Sequence, residues 1–257
     1  MTATLEISRL TVELGGRPVV VDASVAFEAG QLWAVIGRSG AGKSVLMKAA
    51  SGLLPFTTGA VRVRARGGVL EAGPDDEDAF ALIRRRLSFV HQDPALLDDL
   101  TVRENVGFAL SRRGLDDGGG IVSRWLSALS LDEVAARLPR ELSPGQLRKV
   151  ALCRALCLSP EVLVVDEPTT GLDPIAAREV DSALASLAES GSTLIVITHD
   201  RRSLTTLSPH IAWVDRGRVR YVGPLGKAAR AGYEELSALL EGRPLRDARH
   251  EAEEGAP

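Results

Sequence analysis

The chain has 257 residues, 45% hydrophobic and 25% charged, a mixture that excludes a disordered, collagen-like or disulfide-stapled protein. Its 31 basic and 34 acidic side chains leave a net charge of -3, so no general attraction to nucleic acid is expected. The length allows one large domain or two small ones, with roughly three quarters of the unfolded surface buried.

Leu5 to Val12 and Val19 to Phe27 alternate in polarity and are predicted as strands on either side of a Gly15-Gly16 turn. Gln31 to Ile36 is predicted as a denser strand that runs into a glycine-rich stretch. A helix over Ser44 to Ser51 and a strand over Val61 to Arg66 follow. The segment from Gly67 to Asp78, GGVLEAGPDDED, reads as an acidic solvated loop, and Leu87 to Gln92 as another short strand. From about 98 to 142 the periodicity becomes helical, with helices expected over Val102 to Leu110, Ile121 to Leu129 and Leu131 to Leu138. A glycine-rich loop from Gly114 to Gly120 interrupts them. The strand and helix pattern then resumes: a helix at Gln146 to Leu158, a strand at Glu161 to Asp166, a helix at Ile175 to Glu189, a strand at Thr193 to Thr198. Such alternation implies an α/β fold with a mostly parallel sheet covered on both faces, and a helical subdomain inserted into it.

Residues 1–242 read as one domain and 243–257 as a disordered polar tail. Cys153 and Cys157 share one helical face, where packing is expected rather than metal binding, and so few cysteines suit a reducing cytoplasm. No run approaches the length of a bilayer span, and the N-terminus lacks a basic segment followed by an apolar one. The chain is therefore expected in the cytoplasm, with another chain supplying any membrane.

Gly37-Arg38-Ser39-Gly40-Ala41-Gly42-Lys43-Ser44 is a complete G-x-x-x-x-G-K-[ST] pattern between a predicted strand and a predicted helix. Its glycines let backbone N–H groups converge on phosphate oxygens, and the helix N-terminus adds a favourable dipole. Lys43 would neutralise the β- and γ-phosphates and Ser44 would ligate Mg²⁺. Val162-Leu163-Val164-Val165-Asp166-Glu167 delivers two adjacent carboxylates to the C-terminal edge of a buried strand. Asp166 would hold Mg²⁺ and Glu167 would orient or deprotonate the attacking water. The pair identifies a nucleotide hydrolase or a nucleotide switch.

At these residues the chain resembles the ATP-binding subunits of ABC transporters. Leu142-Ser143-Pro144-Gly145-Gln146 is similar to the family signature LSGGQ, Gln92 to the Q-loop glutamine, Thr170-Gly171-Leu172-Asp173-Pro174 to the D-loop, and His199 in VITHD to the switch histidine. The resemblance runs from about Leu5 to Leu240. It implies a P-loop NTPase of the ABC ATPase fold, with an N-terminal antiparallel β subdomain, a mostly parallel sheet core and the helical insertion. It also implies ATP and Mg²⁺ as cofactors and a second ATPase subunit, expected to be another copy, packed head to tail. Ser143, Gly145 and Gln146 would then face ATP held by the partner, with Ser143 and Gly145 at its γ-phosphate. His199 would contact that phosphate from the other side. Gln92 would meet Mg²⁺ and the attacking water and relay their state to a membrane permease, and Asp173 would link the two sites.

Two departures from the family pattern stand out. Leu14 replaces the usual aromatic residue that stacks on adenine. Pro144 replaces the first signature glycine, removing a backbone N–H.

Asp93 to Leu97, Leu100 to Val106, Ile175 and the ending Leu239 to Arg243 resemble phospholipid-trafficking members of the Mla type; Gln146, where many of those carry methionine, argues the other way. Mla-type lipid trafficking is the first reading, with a lipid- or solute-binding protein as a further partner. The alternative is an importer or exporter of another solute. Non-transport relatives carry two cassettes, a long coiled coil or zinc-binding cysteines, and GTPases carry N-K-x-D; none of these is in this sequence.

Overall fold

The computed structural model describes residues 3–65, 67–116, 120–189, 191–200, 204 and 210–243. Strands β1 (Thr4–Leu14) and β2 (Arg17–Phe27) form a hairpin whose two-residue turn, Gly15-Gly16, has φ of 58° and 72°. Both positive angles match the primed hairpin turn that glycine favours. Alternate side chains Leu5 and Ile7, then Leu10 and Val12 beyond a register shift, are buried. After β3 (Leu32–Ile36) and helix α1 (Lys43–Ala50), strands β4 (Thr58–Ala65) and β5 (Gly68–Ala72) complete an antiparallel sheet in the order β2-β1-β4-β5.

Helix α2 (Glu77–Arg86) leads into β6 (Leu87–Val90). Helices α3 (Val102–Arg112), α4 (Ile121–Ala128) and α5 (Pro144–Leu156) precede β7 (Val162–Asp166). Then come α6 (Pro174–Glu189), β8 (Thr193–Ile197), β9 (His210–Asp215), β10 (Arg218–Pro224), α7 (Leu225–Ala228) and α8 (Glu234–Glu241). The second sheet runs β10-β9-β3-β8-β7-β6, parallel throughout except for the β9–β10 pair. Every residue of β3, β7 and β8 is buried, as expected where both faces are covered. On one face Val35, Val162, Val164, Ile195 and Ile197 pack with α1 and the antiparallel sheet. On the other, Leu163, Val165, Leu194 and Val196 pack against the helical subdomain, α5 and α6.

Two sequence expectations fail. The segment 67–78 is not a loop: β5 pairs with β4, and α2 begins at Glu77. The acids that suggested solvent are a helix start, because the Asp76 side chain accepts from Ala79 N at 3.1 Å and Glu77 and Asp78 lie in the first turn. Phe80 and Ile83 bury the inner face of α2. The second failure is the helix over Leu131 to Leu138, where only a 3₁₀ turn at Asp132–Val134 forms. Its carbonyls serve another helix: Val102 N donates to Arg137 O and Arg103 N to Ala135 O, both at 2.9 Å, at the start of α3.

Cys153 and Cys157 form no disulfide with each other and are buried in the core, where packing is expected, and burial pushes the Cys153 thiol up. Among the described residues no helix is long and apolar enough to cross a membrane. The expected disordered tail lies outside the described residues from 244 onward, as does the middle of the Gly114 to Gly120 loop.

Candidate active site

β3 ends at Ile36 and the chain wraps through residues 37–42 into α1. Gly37, at φ 154°, has no room for a side chain, since a Cβ there would stand 2.1 Å from Val214 O. Gly42, at φ 98°, is the N-cap of α1 and supplies no side-chain cap, and no acid occupies the first turn. The free N–H groups and positive dipole end of α1 therefore remain for an anion. Lys43, the first residue of α1, is 7% exposed and donates to Gly37 O at 3.0 Å and Arg38 O at 2.9 Å. Burial lowers the pKa of its ammonium, and Glu167 and Asp166 oppose that shift.

In the sheet β8 separates β3 from β7, so the loop and the end of β7 face each other across one strand. Ser44 Oγ closes the gap by donating to Asp166 Oδ1 at 2.9 Å. Asp166 is buried, and burial pushes its carboxyl up; the Ser44 bond and the charges of Lys48 and Lys43 pull the other way. Glu167 has φ 50°, a strained angle for a residue with a side chain, and its N–H donates to Ile197 O at 2.9 Å. Its Oε1 lies 2.7 Å from His199 Nδ1, and its Oε2 accepts from Thr170 Oγ1 at 2.9 Å. Residues from the ends of β3, β7 and β8 thus converge at one sheet edge.

Not every candidate joins this group. Gln92 is exposed two residues past β6, and none of the hydrogen bonds among the described residues ties it to Ser44 or Asp166. Ser143 caps α5 through a reciprocal pair: its Oγ accepts from Gln146 N at 3.3 Å, and Gln146 Oε1 accepts from Ser143 N at 2.9 Å. Pro144 occupies the first position of α5, where the N–H it lacks has no partner within the helix. Gly145 is buried, and a Cβ there would come within 3.1 Å of Ala176 Cβ in α6. Asp173 accepts from Ile175 N at 2.9 Å and Ala176 N at 3.0 Å, and these bonds hold its carboxyl below the usual carboxylate range. Leu14 ends β1 beside the hairpin turn and is 41% exposed, so it does not pack beneath the first sheet. Thr170 belongs to the stretch similar to the D-loop, but sequence reasoning gave it no role; its contact arises from a turn that folds it back on Glu167.

Ser44 and Asp166 offer hard oxygen donors suited to Mg²⁺. Among the described residues no group of three His, Cys, Asp or Glu would hold a metal ion by itself. A site with one carboxylate and one hydroxyl fits an ion whose other ligands are water and phosphate.

A family model described as ABC transporter matches residues 20–170. The chain is 36% identical over 232 residues to the molybdenum import ATP-binding protein ModC of Mycobacterium tuberculosis, covering 86% of this chain and 61% of that protein. It is 34% identical over 223 residues to the methionine import ATP-binding protein MetN of Cereibacter sphaeroides, covering 85% and 62%. With the Fe(3+) ions import ATP-binding protein FbpC of Pseudomonas fluorescens it shares 35% over 221 residues, covering 85% and 61%. The chain thus spans 61% or 62% of the length of these relatives. Among solved structures, an ATP binding subunit of an ABC transporter superposes with a TM-score of 0.78 at 26% identity, covering 92% of this chain and 99% of that one. A dimeric post-hydrolysis ATP-binding cassette bound to ADP and Pi superposes at 0.75 and 27%, covering 86% and 98%.

Proposed function

Because this chain belongs to the ABC transporter family, we propose that it is the ATP-binding and ATP-hydrolysing subunit of a transporter of importer type, acting with a separate permease. One observation carries the ATPase reading: the Ser44–Asp166 hydrogen bond joins the phosphate loop to the adjacent carboxylates Asp166 and Glu167. The N–H groups of residues 37–44 and the start of α1 would hold the phosphates. Lys43, already buried in the loop, would exchange its carbonyl partners for phosphate oxygens. Ser44 and Asp166 would hold Mg²⁺, which neutralises charge on the β- and γ-phosphate oxygens when bound. Glu167 would accept the proton of the attacking water on its carboxylate, while His199 and Thr170 fix the orientation of that group.

Ser143, Gly145, Gln146 and Asp173 lie outside the hydrogen-bonded group, which is the arrangement expected if they serve a nucleotide on a second subunit. The dimeric cassette among the structural relatives supports a pair of copies. For substrate, the named relatives import molybdenum, methionine and Fe(3+), which favours a small-solute importer over phospholipid trafficking. The segments read as Mla-like are compatible with both.

Steady-state phosphate release tests the ATPase reading. Glu167→Gln is expected to keep ATP binding and lose roughly 10²- to 10⁴-fold in turnover, since it removes the base and keeps the shape. Lys43→Ala is expected to act earlier, weakening ATP binding by about 2 kcal/mol, roughly thirtyfold. Wild-type turnover in Glu167→Gln would overturn the assignment.

A further inference from the structure

Glu167 is held by donors from two different segments. His199, just past β8, has a side chain 59% exposed, whereas the Glu167 side chain is 11% exposed. Thr170 is half-buried, and its hydroxyl reaches Glu167 Oε2 at 2.9 Å. A carboxylate accepting one bond on each oxygen is fixed in its plane, yet each oxygen keeps a lone pair for the proton of a water. Thr170 is itself tied to α5, because Arg148 Nη2 donates to Thr170 O at 3.5 Å. Arg148 Nη1 is buried with no hydrogen-bond partner among the described residues. Burial lowers the pKa of Arg148, and the charges of Asp93, Asp166 and Glu167 oppose that shift. The first turn of α5 also packs closely on this region, with Gly145 against Ala176 and Leu172.

We propose that Thr170 is a positioning residue that fixes the Glu167 carboxylate through Oε2, and that Arg148 anchors Thr170 to α5. This rests on the ATPase reading above and extends it. If the first turn of α5 meets the partner's nucleotide, the Arg148–Thr170–Glu167 chain links that nucleotide to the base of this subunit's own site. The link runs inside one chain, from Ser143 at the helix start, through Arg148 five residues further on, to Glu167.

The test is steady-state phosphate release by the full chain, with melting temperature measured beside it. Thr170→Val keeps the side-chain shape and removes the O–H. Its kcat is expected to fall about tenfold, the equivalent of 1.4 kcal/mol, with KM for ATP and melting temperature unchanged. Thr170→Ser is expected to restore the wild-type kcat. Arg148→Met is expected to lower kcat as well. The Thr170→Val/Arg148→Met double variant should be no slower than Thr170→Val alone, because both act through one contact. Wild-type kcat in Thr170→Val, or a loss that Thr170→Ser does not reverse, overturns the role of Thr170. Additive losses in the double variant overturn that of Arg148. A wild-type chain that releases no phosphate overturns the ATPase reading and this proposal together, and is seen before any variant is compared.

Discussion

Asp166 is buried at the end of β7, and burial raises its pKa above the ordinary 3.8. A carboxyl raised on folding ionises less readily in the fold than in the unfolded chain, so its charge costs stability at neutral pH. That cost is absent below the unfolded pKa and grows as pH rises through the folded one. Asp166→Asn is therefore expected to melt a few degrees higher than wild type at pH 7 without nucleotide or metal, with the gap closing towards pH 4. Thermal scans across that range check it, and an unchanged gap would mean that desolvation is not what acts on Asp166. By the family pattern Leu14 would bear on the base rather than the phosphates. Being exposed, it leaves room for a ring, so Leu14→Tyr should add a stacking surface of about 0.5–1.5 kcal/mol. ATP and ADP should both bind roughly 2- to 13-fold more tightly, with kcat at saturating ATP little changed, and a titration of each nucleotide measures this. At this scale the phosphate loop, Asp166, Glu167 and His199 could be read from the sequence because their chemistry needs fixed residue types at fixed spacing. The contact of Thr170 with Glu167 could not, although Thr170 lies in the D-loop-like stretch: it comes from a turn that returns its hydroxyl to a neighbour three residues back.

Among the elements, α5 bears most directly on the departure at Pro144. Its start is closed by the Ser143–Gln146 capping pair, and Pro144 sits where its ring is preorganised for the first helical turn. Pro144→Gly is expected to lower stability by about 0.4–1 kcal/mol through the freer unfolded chain, with the cap intact and phosphate release no slower. A marked loss of turnover would show that the proline is required for chemistry and not only for the helix. The buried strands β3, β7 and β8 were readable because double-sided burial leaves a continuous apolar run. β5 and α2 were not, since an edge strand of mixed polarity and an acidic helix cap both look like loop by composition. The helix expected after Leu131 fails for a tertiary reason: Ala135 and Arg137 give their carbonyls to the start of α3.

At the scale of the whole molecule, the sheet order β3-β8-β7 places the phosphate loop across one strand from the paired acids and gathers one nucleotide site at one edge. Among the described residues the signature stays outside that site's hydrogen bonds, and Ser143 caps its own helix. On the proposed reading one chain would hold half of each of two composite sites, and ATP would complete them by joining two copies. Glu167→Gln would expose this most directly, because on that reading a bound ATP that is not hydrolysed would keep the pair closed. Its molar mass in solution should be measured by size exclusion with light scattering, with and without ATP and Mg²⁺. The expected result is a dimer with ATP and Mg²⁺ and a monomer without nucleotide; a monomer at saturating ATP and Mg²⁺ would contradict the claim.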